Sequence, residues 1–216
     1  MTELLQITLL SLQISGLATL ISLGLGLPLG TLLALGNFPA RAVFLSLVNT
    51  GMGLPPVVVG LLTALLLWRS GPLGGLQLIY TPAAIVVAQV LISFPVVTGL
   101  TASALQALEP RLRLQALGLG ASSWQMVWLL WREARLPLLA ALMAGFGSVI
   151  SEVGASMMVG GNIRHQTRVL TTAIVLETGK GNFGLALGLG GLLLFITFLV
   201  NWALTVVQQR GRRDER

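Results

Sequence analysis

The chain has no cysteine and a single histidine, His165, among its 216 residues. Disulfides, thiol catalysis and cysteine metal sites are therefore excluded, and one imidazole cannot build a histidine metal cluster. Charge is equally scarce. Asp, Glu, Lys and Arg make up 9% of the chain, against about a quarter in soluble domains. Hydrophobic residues make up 55%, and mean hydropathy is +0.88. No local motif groups a nucleophile with a base and an orienting carboxylate. No G-x-x-x-x-G-K-[ST] loop occurs either, because Gly179-Lys180-Gly181 lacks both the upstream glycine and the following hydroxyl residue. The composition describes an integral membrane protein, not an ATPase, a soluble metalloenzyme or a nucleic-acid binder. Met1-Thr2-Glu3 carries no positive side chain and the apolar stretch behind it is too long for a cleavable leader, so the first span is expected to stay in the mature protein.

What the chain does have is long apolar runs broken by charge. A span needs about 20 apolar residues. Between Glu3 and Arg41 there is no charge over roughly 55 Å at helical rise. The preferred reading is one span over 12–35 after an interfacial lead over 1–11, the other option being a hairpin of two short helices. Further spans are expected over 44–68, 83–108, 137–160 and 183–207, making one transmembrane domain over 12–208 and a basic tail over 209–216. Pro55 and Pro56 remove two backbone donors from the second span, which should be kinked or broken there. The fold class expected is all-α, with five transmembrane helices. Gly26-x-x-x-Gly30 and Gly184-x-x-x-Gly188 suit close helix packing, with dimerisation as one use.

Five spans place the termini on opposite sides. With the N-terminus outside, Arg41, Arg111, Arg113, Arg132, Arg135, Arg210, Arg212, Arg213 and Arg216 fall in the cytoplasm, and Arg69, Arg164, Arg168 and Lys180 outside. The excess of basic residues inside favours that choice and a cytoplasmic C-terminus. Much of the net charge of +6 is then a topology signal.

The segment 109–136 is amphipathic and not spanning. It should form one helix, a bend at Gly118 to Gly120, and a second short helix capped by Ser122 or Ser123. Trp124 and Trp128 on that second helix suit a groove on a soluble partner; the plainer reading is a membrane-surface helix with interfacial tryptophans. These residues resemble the EAA loop of the permease subunit of type I ABC importers. The loop's glycine falls on Gly120, its second alanine on Ala116, and the Gly-Ala-Ser-x-Trp continuation on Gly120, Ala121, Ser122 and Trp124. Leu114 stands where the family has glutamate, Gln115 replaces the first alanine, and Leu136-Pro137 lies later than usual by about one helical turn. The general likeness covers 12–208.

A second likeness concerns substrate. Ser151 to Ile163, Thr167 to Ile174 and Glu177 to Asn182 are similar to oxyanion permeases for molybdate and sulfate, and look nearest to the tungstate branch. The resemblance implies a pore made by two copies of this chain in the inner or plasma membrane of a prokaryote. It also implies separate ABC ATPase subunits carrying ATP and Mg, an extracytoplasmic oxyanion-binding protein, contact with lipid and no nucleic acid. No cofactor or metal is expected in this chain. The coupling residues would be Ala116, Gly120, Ala121, Ser122, Ser123, Trp124 and Trp128.

Along the fourth span, Ser148, Ser151, Glu152 and Ser156 are candidates for the pathway or its gate. Glu152 would lie roughly 22 Å beyond Pro137, where a carboxylate is costly unless paired or wetted. Serines in spans bond their own helix more often than a ligand. Asn162, Arg164 and Arg168 are outer-mouth candidates that either draw in a dianion, pair with a binding protein or are simply solvated. A self-contained secondary transporter or channel remains the alternative from a different class, and a passive membrane anchor the third.

Overall fold

The computed structural model describes the backbone of residues 2–213 and the side chains of residues 3–209. The described residues hold ten α-helices and no strand. Most of the basic tail expected over 209–216 lies outside the described side chains.

Helix α1 (Thr2–Leu35) is one unbroken rod of 34 residues, about 50 Å long at helical rise. Residues 2–11 are thus helical and continuous with the expected span, and among the described residues the hairpin option is absent. Four of its hydroxyl side chains bond back onto their own helix: Thr8 donates to the Leu4 carbonyl, Ser11 to Ile7, Thr19 to Ser15 and Thr31 to Leu27. These four are thereby satisfied within the helix, while Ser22 bonds outward to Ser93 and the Val90 carbonyl. Pro28 lies inside α1 without ending it.

The second apolar stretch is not one helix. Residues Arg41–Met52 form α2 and Pro56–Leu67 form α3, bent by 104° across the Gly53–Pro55 break. The cause is the one expected, since Pro56 takes the first helical position, where the missing N–H costs nothing. A loop with a short 3₁₀ turn (Gly74–Leu76) leads to α4 (Pro82–Gln106), whose Thr81 side chain accepts from the Ala84 N–H. This loop closes on a distant turn through the Tyr80 N–H, which donates to the Val159 carbonyl at 2.8 Å.

Helix α4 is the centre of the bundle. In its most apolar window 61% of residues are buried, against 11% for α10 (Phe183–Arg213), whose apolar surface is left uncovered by the rest of the chain. α1 lies along α4 so closely that a Cβ on Gly30 would stand 2.7 Å from the Thr98 carbonyl oxygen and 2.7 Å from Thr101 Cβ. The first glycine pair is therefore consumed within the chain. A Cβ on Gly184 or Gly188 would meet nothing within 4 Å.

The expected fourth span, 137–160, is also divided. α5 (Pro110–Gly118) and α6 (Ser123–Glu133) precede α7 (Arg135–Ile150), which stops before Ser151, and α8 (Gly154–Gly160) restarts after Val153. No proline forces this break; side chains from elsewhere in the fold take up its backbone groups. The stretch between the last two expected spans, which carries Arg164, Arg168, Glu177 and Lys180, contains α9 (Leu170–Gly179), apolar for most of its length with its charge near one end. Three described helices are long and apolar enough to cross a membrane, and counting the bent pairs α2–α3 and α6–α7 as single crossings gives up to five.

Gly30→Ala should destabilise the protein by about 1–3 kcal/mol, because an added methyl at an overpacked contact forces backbone to move. Gly184→Ala, with open space around it, is the control. Thermal unfolding in detergent should separate the two, and equal melting temperatures would refute the close α1–α4 packing.

Candidate functional site

The α5–α6 elbow is built by local sequence. Pro110 occupies the first position of α5. At the other end Gly120 has φ +81°, the Ala121 N–H donates to the Ala116 carbonyl and the Gly120 N–H to Leu117. This is a Schellman ending, which a left-handed glycine permits at little cost. Two residues later the Ser122 hydroxyl accepts from the Gln125 N–H at 3.3 Å, and the Gln125 side chain accepts from the Ser122 N–H at 2.8 Å. A reciprocal capping box follows a helix stop directly, so the bend is fixed on both sides.

The elbow is rooted by one face and exposed on the other. Met126, Leu130 and Ala134 recur at helical spacing and are buried with Ala116 and Leu105, against Ala34 and Leu35 at the end of α1. Burying the Met126 and Leu130 side chains contributes about 1.5–3 kcal/mol each. Trp124 and Trp128 share the opposite face and are 67% and 60% exposed, and Leu119 at the bend is 89% exposed. Ser123 and Gly120 are exposed too, Ala121 is half-buried, and Ala116 belongs to the root. Directed bonds reinforce the attachment: the Trp131 indole N–H donates to Thr31 Oγ1 at 2.8 Å, and Arg113 donates to the Leu35 carbonyl at 3.2 Å.

The candidates along the fourth span separate in space. Ser148 donates to the Gly145 carbonyl at 2.8 Å and Ser151 to Gly147 at 2.9 Å. Their hydroxyl protons are thus used inside α7, although Ser151 itself is exposed. Ser156 is fully buried, and its hydroxyl has no hydrogen-bond partner among the described residues. Glu152 is 9% exposed; its Oε1 accepts from the Ala155 N–H at 3.0 Å, and its carbonyl accepts from Thr171 Oγ1 at 2.9 Å. The carboxylate thus caps the start of α8 across the helix break.

The third group gathers at the far end of α1. Arg164 grips Glu3 with two bonds, 2.9 Å from Nε and 2.6 Å from Nη2. Arg168 lies 3.5 Å from the same carboxylate and donates to Asn162 Oδ1 at 3.3 Å. His165 Nδ1 meets Gln6 Oε1 at 3.0 Å. Lys180 and Asn182 both donate to Glu177, holding its carboxyl below the usual carboxylate range, with Lys180 the larger cause. The bidentate contact with Glu3 raises the Arg164 guanidinium above its ordinary value. These charges border a cavity of about 500 Å³ that also includes Ile7 and Leu189. Glu3, Gln6, Thr31 and Trp131 were missed by sequence reasoning. Trp131 sits in the aromatic run that drew attention to Trp124 and Trp128, but Glu3 and Arg164 are 161 residues apart, with no local signal.

The described residues thus combine helices apolar enough for several membrane crossings with a stiff elbow whose tip is exposed and apolar. Residues 26–213 match the family described as binding-protein-dependent transport system inner membrane component, and the chain belongs to that family. It is 41% identical to a probable anion ABC transporter permease protein of Haloferax volcanii, over 93% of this chain and 89% of the relative. It is 38% identical to a tungstate uptake system permease protein of Peptoclostridium acidaminophilum, over 93% and 88% of the two chains. A molybdenum transport system permease protein of Escherichia coli is 30% identical, over 84% and 83%. The fold is also that of a chain in an inward-facing MetNI methionine ABC transporter, at TM-score 0.80 and 19% identity, covering 98% of this chain and 97% of that one.

Ser122→Ala removes the acceptor at the start of α6 and should cost about 1 kcal/mol. Hydrogen exchange should show faster exchange at the Gln125 and Met126 amides with little change in α4. Unaltered protection across α6 would mean that the capping box does not hold the bend.

Proposed function

We propose that this chain is the permease subunit of an ATP-driven importer for an oxyanion, tungstate being the first choice. The observation that carries the reading is the likeness, over 93% of the chain, to a tungstate uptake permease. Molybdate is the second substrate, favoured by the 30% identity to the molybdenum permease. Two copies of the chain form the pore, each with an ATPase subunit on the elbow, and an extracytoplasmic binding protein delivers the anion. ATP is held and hydrolysed by the ATPase alone, because this chain lacks a phosphate-binding loop.

The elbow suits docking because its outward groups are apolar and fixed in place. Leu119, Trp124 and Trp128 enter a groove on the ATPase, while Gly120, Ala121, Ser122 and Ser123 set the bend that presents them. The placement of Arg111, Arg113, Arg132 and Arg135 around the elbow supports a cytoplasmic position for it, with the N-terminus outside. The break between α7 and α8, flanked by Ser148, Ser151, Glu152 and Ser156, is the pathway's gate. Asn162, Arg164 and Arg168 stand at the outer mouth.

Because the chain has no cysteine, Trp124→Cys provides a single thiol. It should crosslink to the co-purified ATPase and react only with reagents that reach the cytoplasm; labelling from the exterior alone would refute the topology. In proteoliposomes carrying the binding protein and ATPase, uptake of labelled tungstate should require ATP and be competed by molybdate more strongly than by sulfate. Equal competition by sulfate would refute the narrow substrate.

A further inference from the structure

α1 is tied to distant parts of the chain at both ends. At the elbow end, the Trp131 indole N–H donates to Thr31 Oγ1 at 2.8 Å, and the Thr31 hydroxyl in turn donates a hydrogen bond to the Leu27 carbonyl at 2.7 Å. The Trp131 ring meets the exposed Trp124 edge-on, with centroids 6.1 Å apart. At the other end, Glu3 is held by Arg164, and Gln6 bonds both the ring and the carbonyl of His165. Between Glu3 and Thr31 the helix runs for about 42 Å without a break.

Arg113 of α5 donates to the Leu35 carbonyl at the very end of α1, and the contacts of α6 with α1 besides the Trp131 bond are apolar, through Ala34 and Leu35. Such packing is non-directional and tolerates sliding. A hydrogen bond is different: indole has a single N–H, so its one bond has one direction, and away from water the bond is stronger than at the surface. Trp131 is partly buried against the elbow's root, so its bond to Thr31 fixes the register of α6 on α1. The contact also falls within a turn of Pro28, which cannot donate to the Gly24 carbonyl and so leaves α1 one bond short.

We propose that Trp131 is a positioning residue for transport: through Thr31 it makes α1 follow the elbow, and α1 acts as the rod that carries this movement to the Glu3–Arg164 clasp. The inference rests on the reading of the elbow as the ATPase dock. It assigns the first helix a transmitting role and does not depend on which anion is carried.

The test uses the full transporter, reconstituted with its ATPase and binding protein, and reads ATP consumed per labelled tungstate imported. W131F keeps a ring and loses the N–H; T31V keeps the shape and loses the hydroxyl; T31S keeps the hydroxyl. W131F and T31V should each raise the ratio about three- to tenfold, and the double variant should be no worse than either single one, as partners in one interaction behave. T31S should restore the wild-type ratio, which a merely structural loss at Thr31 would not explain. E3Q should raise the ratio as well while leaving the Trp124→Cys crosslink to the ATPase intact. A retained crosslink with an unchanged ratio in W131F overturns the relay, and an unchanged ratio in E3Q overturns the rod. Loss of the crosslink in otherwise wild-type protein overturns the docking reading, and this inference with it.

Discussion

Hydrocarbon offers a peptide group no hydrogen bond, so every backbone donor and acceptor inside the membrane has to be answered by the protein itself. That constraint decides where this chain remains helical and where it can break. The gap after α7 is permitted because other side chains fill it. Glu152 Oε1 takes the Ala155 N–H, Thr171 donates to the Glu152 carbonyl, and Gln89 from α4 donates to the Val149 carbonyl at 3.2 Å. A carboxylate within an apolar segment, which would otherwise be expensive, is explained by the backbone it satisfies. Glu152 and Thr171 together pin the α7–α8 break to α9, and Gln89 pins it to the central helix. A change in one of these elements is therefore felt at the break.

Rigidity at the elbow comes from a different source. There the backbone is fixed by its own sequence: a left-handed Gly120 ends one helix and a Ser122–Gln125 box begins the next, with only Leu119 to Ala121 between the regular turns and the cap. An ordinary loop of polar residues would absorb a push from a partner. A double-capped bend rooted by Met126 and Leu130 is stiff, and its orientation on α1 is set by the few polar contacts that have one geometry, Trp131 to Thr31 and Arg113 to Leu35.

How much of this was legible follows from the range of the forces involved. The elbow and the α2–α3 break were readable because proline, glycine and serine act on neighbours one to four residues away. Membrane character was readable from composition. The unbroken α1 was not, since Glu3 signals a boundary in sequence while in the structure its charge is taken up by Arg164, 161 positions later. The break at Ser151 to Val153 lacks a proline and depends on Gln89 and Thr171, which periodicity does not connect to it. α9 was hidden because Arg168, Glu177 and Lys180 bracket an apolar helix and make its surroundings read as a loop.

The far end of α1 shows what charge can do once it is compensated. Arg164 and Lys180 each hold a carboxylate, Glu3 and Glu177, and Arg168 shares Glu3 while donating to Asn162. Arg164 is in bidentate contact with Glu3, while Arg168 divides itself between Glu3 and Asn162, so the field that either guanidinium sends into its surroundings is reduced by the partners it already has. The same bonds bind the N-terminal turn of α1 to the loop after α8, so two segments far apart in sequence are held together by charges that neither segment would explain alone.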